Sequence, residues 1–137
     1  MKDERVLNIA REVREWAERR GAEYGDTDAT LSCYCAIASA KMSMILASEG
    51  IKHRIGYAYA PIGGHMFILK DGWIIDVTAT QFGEDEKILV RHTHATRLPW
   101  YHRVKQTFMS AQTMLRWQEK NHWPEDQRMI ETEWQPA

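Results

Sequence analysis

Cysteine is scarce in this chain of 137 residues, and the two present, Cys33 and Cys35, are separated by a single residue. They lie too close to staple a loop as structural disulfides do, and redox motifs normally place two residues between their cysteines. Long apolar runs are also missing. The strongest apolar segments are broken by Lys41, Glu49, Lys70 and Asp71, so none reaches the roughly 20 residues of a membrane span. Nor does either sign of charge dominate. With 18 basic and 19 acidic side chains the formal net charge is -1, and no whole-molecule field draws the chain to nucleic acid or to an anionic membrane. The opening MKDERVLNIAREV has neither the apolar stretch nor the small-residue cleavage site of a secretory signal. The expected setting is therefore cytoplasmic and reducing, with both thiols free.

What remains has an ordinary globular balance, 44% apolar and 27% charged, without repeats or low-complexity tracts. The length suits one hydrophobic core, so residues 1–137 are read as a single domain. Residues 3–20 predict an amphipathic helix, because Val6, Ile9, Ala10, Val13, Trp16 and Ala17 recur at spacings of three and four. Gly21 is the expected stop. A polar loop leads to a second helix that starts between Leu31 and Cys35, runs to about Glu49 and ends at Gly50. Its small residues, Ala36, Ala38, Ser39, Ala40 and Ser43, permit close packing, which makes it the central helix.

After Gly50 the period changes to two. Ile55, Tyr57 and Tyr59 alternate along an expected strand over residues 53–60, and Pro61, Gly63 and Gly64 mark a turn. Residues 65–69 and 73–77 form apolar runs around Lys70, Asp71 and Gly72, the strongest hairpin signal in the chain. Residues 87–90 suggest one more strand. From about His102 to Lys120 the pattern reads as helix, with Val104, Phe108, Ala111, Leu115 and Trp117 available for packing, while residues from about 121 to 137 read as a surface-wrapping or flexible tail. The whole predicts an α+β domain whose central helix packs on a short antiparallel sheet.

A nucleophilic thiol needs a lowered pKa, a base within reach and a group that orients the base. Cys35 stands at a predicted helix N-terminus, where unpaired N–H groups and the peptide dipoles favour a thiolate. His65 opens a strand after a turn, and Asp76 lies across the following hairpin. A register that pairs the start of one strand with the end of the next makes them neighbours, and Asp76 can then orient the imidazole.

The stretch CAIASAKMSMILASEGI, with its cysteine opening a helix that ends in Gly-Ile, resembles the transglutaminase-like and papain-like cysteine enzymes. HMFILKDGWIIDVTATQF is similar to the histidine strand, Gly-Trp turn and Asp-x-Thr strand of that superfamily. The resemblance covers about residues 31–82, the expected catalytic core. It implies a papain-like or transglutaminase-like fold with Cys35 as nucleophile, His65 as general base and acid, and Asp76 as orienting carboxylate. Met66 after His65 departs from the aromatic-rich strand common there. The chain is also far shorter than crosslinking transglutaminases and has no calcium-loop pattern, so crosslinking is not implied.

The expected activity is cysteine-dependent hydrolysis of an amide bond, by a peptidase or amidase, through a thioester. Acyl transfer on the same residues, or an inactive peptide-binding or protein-binding module, are the alternatives. Gln81 is a candidate oxyanion donor beside the Cys35 N–H, and Tyr24, Tyr34 and Thr78 are candidate pocket donors. Cys33 is the rival thiol, read as lining the loop or packing. His92, His94 and His102 lack an HExxH motif or paired cysteine clusters, so neither a metal nor another cofactor is expected. Trp73 is expected to anchor the hairpin, and Trp100, Trp117 and Trp123 to pack the last helix or line a groove. The expected partners are a peptide, a protein or a small amide substrate, with no nucleic acid and no membrane; no pattern selects an oligomeric state.

Overall fold

A computed structural model describes residues 3–23, 34–60, 63–82, 84–93, 101 and 103–120. Tyr24, Cys33, His94, Trp100, His102 and the expected tail over residues 121–137 lie outside the described residues. Within them, three α-helices and a five-stranded antiparallel sheet make a mixed α+β fold: α1 (Glu4–Glu23), α2 (Cys35–Ser48), β1 (Arg54–Ala60), β2 (Gly63–Lys70), β3 (Trp73–Asp76), β4 (Leu89–His92), β5 (Gln106–Phe108) and α3 (Ala111–Lys120). A short 3-10 turn, Ala79–Phe82, follows β3. The sheet order is β4-β3-β2-β1-β5. Among the described residues no helix is long and apolar enough to cross a membrane.

The first helix starts where Asp3 caps it, its carboxylate accepting the Val6 N–H at 3.2 Å. Val6, Ile9, Ala10, Val13 and Ala17 form its buried stripe. Gly21 does not stop it. The helix continues to Glu23 with Gly21 buried and with Arg20 bound to Glu23 at 2.8 Å. Glycine weakens a helix interior by about 1 kcal/mol, a penalty that tertiary packing readily overrides.

The central helix α2 is buried almost all round and packs on α1, α3 and the sheet. Gly50, at φ 71°, closes it by donating to the Ala47 carbonyl at 3.0 Å, while Ile51 N–H reaches the Leu46 carbonyl at 2.9 Å. Beyond it, β2 and β3 are joined by Asp71 and Gly72, both with positive φ. That two-residue turn matches the twist of the strands and sets the register Lys70↔Trp73, Leu69↔Ile74, Ile68↔Ile75. β4 falls at Leu89–His92, two residues beyond the stretch predicted for it.

The sequence pattern misleads after His102. Gln106–Phe108 is not helical but pairs with the open edge of β1, Phe108 opposite Ile55. A free strand edge offers a row of unpaired backbone groups, and pairing there outweighs the weak local helical pattern. The helix begins only at Ala111, where Ser110 caps it by accepting the Thr113 N–H at 3.2 Å.

Both faces of the sheet are covered. Ile55, Tyr57, Met66, Ile68, Ile75 and Phe108 face the helices, whereas Ala58, Phe67, Ile74, Leu89 and Tyr101 make a second cluster on the opposite face. Trp73 packs edge-on to His92 beside the hairpin, and Trp117 packs against Tyr57 and Phe108.

Candidate functional site

Strand alternation turns His65 and Phe67 toward the second cluster and leaves Met66 with the helices. One step past the pair Ile68↔Ile75, the register sets Asp76 opposite Phe67, so His65 and Asp76 become diagonal neighbours on one face. Their side chains meet. His65 Nε2 donates to Asp76 Oδ2 at 2.5 Å, and each residue is only 1% exposed. β2 starts at Gly63, which makes His65 its third residue rather than its first.

The Asp-x-Thr ending has a local reason. Asp76 Oδ1 accepts the Thr78 backbone N–H at 2.9 Å and the Thr78 hydroxyl at 3.2 Å. This side-chain turn orients the carboxylate so that Oδ2 is left for His65. Thr78, a candidate pocket donor in the sequence, is buried and gives both donors to Asp76.

Burial works against the charged imidazole. The Asp76 charge and hydrogen bond, joined by a hydrogen-bond and a charge contribution from Cys35, outweigh it and push the His65 pKa up to about 10. Burial likewise favours a neutral Asp76, yet the His65 charge and hydrogen bond, the Tyr101 hydroxyl and the Thr78 N–H together hold its carboxyl below the usual value. The pair is thus held ionised in a water-poor setting.

Cys35 is the first residue of α2, and no side-chain hydrogen bond from the N-cap Tyr34 covers the first turn. The thiol is half-buried and unbridged, with Sγ 4.0 Å from the carbonyl oxygen of Gly64, the residue before His65. Space at Gly64 is tight: a Cβ there would stand 2.5 Å from the Tyr57 hydroxyl. Burial raises the Tyr57 pKa, and the charges of Tyr59 and Cys35 push it the same way. Tyr34 itself is buried at the helix start. Gln81 lies on the other flank, its Nε2 3.4 Å from His65 Nδ1 and 3.0 Å from the Thr78 carbonyl. The structure therefore brings Gln81, Thr78 and Asp76 around His65, with Cys35 approaching from the helix side. Tyr24 lies outside the described residues.

Two residues escaped sequence reasoning. Tyr101 donates its hydroxyl to Asp76 Oδ2 at 2.5 Å and packs edge-on to Phe67 at 4.9 Å. It lies 25 residues beyond Asp76, and no local pattern marks it. Arg14 is buried on α1, where its Nη1 reaches the Val77 carbonyl at 2.8 Å and Thr80 Oγ1 at 3.0 Å. It ties the segment after Asp76 to the first helix. A signal for it did exist, since Arg14 interrupts the apolar stripe between Ala10 and Ala17.

A wide hollow of about 840 Å³ lies at the other end of α2, lined by Ala47, Ile51, Lys52, Arg54, Leu69 and Gly72 among others. None of the candidate residues lines it. Its histidine, His53, is engaged by Ser43 Oγ at 2.6 Å and by the Ile51 carbonyl at 2.9 Å. Among the described residues no group of three or more His, Cys, Asp or Glu side chains is placed to hold a metal ion.

Comparison with known proteins returns no match: no family model, no curated protein and no solved structure is similar to this chain. The functional reading therefore rests on the chemistry of the site.

Proposed function

We propose that the chain is a cysteine-dependent amide-bond hydrolase, a peptidase or amidase with a papain-like or transglutaminase-like core, acting in a reducing compartment such as the cytoplasm. The observation that carries this reading is the buried His65–Asp76 hydrogen bond, set beside a half-buried thiol at the N-terminus of α2. A buried ion pair is costly to maintain for stability alone, and an oriented imidazole next to a thiol is what nucleophilic catalysis requires.

In this mechanism the Cys35 thiolate attacks the carbonyl of a peptide or small amide. The Cys35 backbone N–H and its first-turn neighbours steady the developing oxyanion. Asp76 occupies Nε2 of His65, which leaves Nδ1 to face the reaction. Imidazolium Nδ1–H protonates the leaving amine as the C–N bond breaks, and a thioester forms on Cys35. The neutral ring then takes a proton from water as the hydroxide equivalent attacks the thioester, releasing the acid and restoring the thiolate–imidazolium pair. An amine in place of water gives acyl transfer by the same steps. Gln81, beside Nδ1, borders the place where the leaving group departs.

The test is the pH dependence of alkylation, mapped separately to Cys33 and Cys35 and repeated in His65→Ala. The expected result is a Cys35 that is alkylated at neutral pH much faster than an ordinary thiol and slows when His65 is removed. A Cys35 indifferent to His65 overturns the reading in favour of a binding module. Faster reaction at Cys33 assigns the nucleophile elsewhere.

A further inference from the structure

The Asp76 carboxylate receives more donors than are needed to orient an imidazole. Oδ1 is filled by the Thr78 N–H and hydroxyl, while Oδ2 is shared by His65 Nε2 and the Tyr101 hydroxyl, both at 2.5 Å. Tyr101 is 1% exposed, and its ring stands edge-on to Phe67, 4.9 Å between centroids, and 6.4 Å from the His65 ring. The packing aims the hydroxyl at the same oxygen that His65 uses.

We propose that Tyr101 is a positioning residue that competes with His65 for Asp76 Oδ2 and so limits how strongly the carboxylate holds the imidazolium. The inference rests on the hydrolase reading above and adds a reason for the arrangement. An imidazolium gripped too tightly gives its proton to a leaving amine less readily, and in the thioester intermediate the ring is reprotonated from solvent at neutral pH, which leaves less neutral imidazole to act as base. A hydroxyl donating to the same oxygen drains part of its negative charge, which weakens the grip without removing the orientation. In this scheme Tyr101 acts through Asp76 and not on the reacting carbonyl.

Among the described residues, the groups facing His65 are Asp76 from β3, Cys35 from α2, Gln81 from the 3-10 turn and the rings of Phe67, Phe82 and Tyr101. Those facing Asp76, again among the described residues, are His65, Thr78 and Tyr101. Among the described residues no further charged side chain contributes to either group, and Tyr101→Phe removes one donor from Asp76 Oδ2.

The test is Tyr101→Phe, which keeps the ring packed on Phe67. His65 is followed by NMR titration of the imidazole, and turnover by the burst and steady-state phases with p-nitrophenyl acetate as probe. The expected result is a His65 pKa that moves up by about half a pH unit, with thioester hydrolysis slowed about threefold at neutral pH and the burst retained. A residue that only fills space would leave the titration where it was. An unmoved or lowered His65 pKa overturns the proposal. Should the variant not fold, the unaltered chain supplies the second measurement: a slowly exchanging, low-field Tyr101 hydroxyl proton with a nuclear Overhauser effect to Phe67 supports the proposal, and a rapidly exchanging one overturns it. Failure of the hydrolase reading has its own signature, Cys35 alkylation that ignores His65→Ala while Tyr101 is intact. That outcome overturns both inferences, whereas a stationary His65 titration beside a His65-dependent Cys35 overturns only the role of Tyr101.

Discussion

The two faces of the sheet are buried to a similar degree by different chemistry. Toward the helices, Ile55, Met66, Ile68, Ile75 and Phe108 meet the small and apolar side chains of α2, and the face is held by removal of apolar surface from water. On the opposite face Phe67, Ile74 and Leu89 surround an imidazole and a carboxylate, each 1% exposed. The first face tolerates exchanges of shape at the cost of a cavity. The second stands only while every donor and acceptor in it is matched, because a buried charge without its partner is far costlier than a missing methyl group.

Asp76→Ala cuts deepest into that contrast. It strands His65, Tyr101 and Thr78 together, with an expected loss of about 3–5 kcal/mol in urea unfolding. Replacing His65 and Asp76 together by leucine is expected to cost less than the single change, since no unpaired buried charge then remains and only the neutral donors of Tyr101 and Thr78 lose their acceptor. If the double variant is the less stable one, the two faces do not differ in the way described. Ile68→Ala, on the helix side, is expected to cost about 2–4 kcal/mol by leaving a cavity.

Arg14→Met comes next, at about 1–3 kcal/mol, because it leaves the Val77 carbonyl without its guanidinium donor. Its specific mark is a change in the environment of Gln81, which the same segment carries, seen as altered side-chain amide signals in NMR spectra.

The polar face also predicts a pH dependence that the apolar face lacks. His65 has a raised folded-state pKa, so its contribution is complete below about 6.5 and fades as pH rises through about 10. Asp76 has a lowered one, so its contribution is complete above about 3.8 and fades as pH falls through its folded-state value. Thermal melts should therefore give a plateau between these limits. The plateau should lose both shoulders in the His65→Leu/Asp76→Leu chain and keep them in Ile68→Ala. The smallest effect belongs to the surface: Arg5→Ala breaks the exposed Arg5–Glu49 ion pair and should leave the melt essentially unchanged.

The sequence by itself determined the elements whose cause is local. The apolar stripe of α1, the run of small residues in α2 with its glycine stop, and the Asp71–Gly72 turn follow from periodicity, side-chain size and backbone φ, all expressed within a few residues. Alternation along β2 and the turn geometry also suffice to set His65 and Asp76 on one face. Tertiary structure decided the rest. Residues 106–108 became a strand because the edge of β1 was open to them, and Gly21 stayed helical and buried near the end of α1. Thr78 turned inward to Asp76, and Arg14 and Tyr101 reached the site from 63 and 25 residues away. Such contacts answer the need of a particular buried carbonyl or carboxylate oxygen for a donor. That need arises only once the chain has folded, and so it has no periodicity by which to be read beforehand.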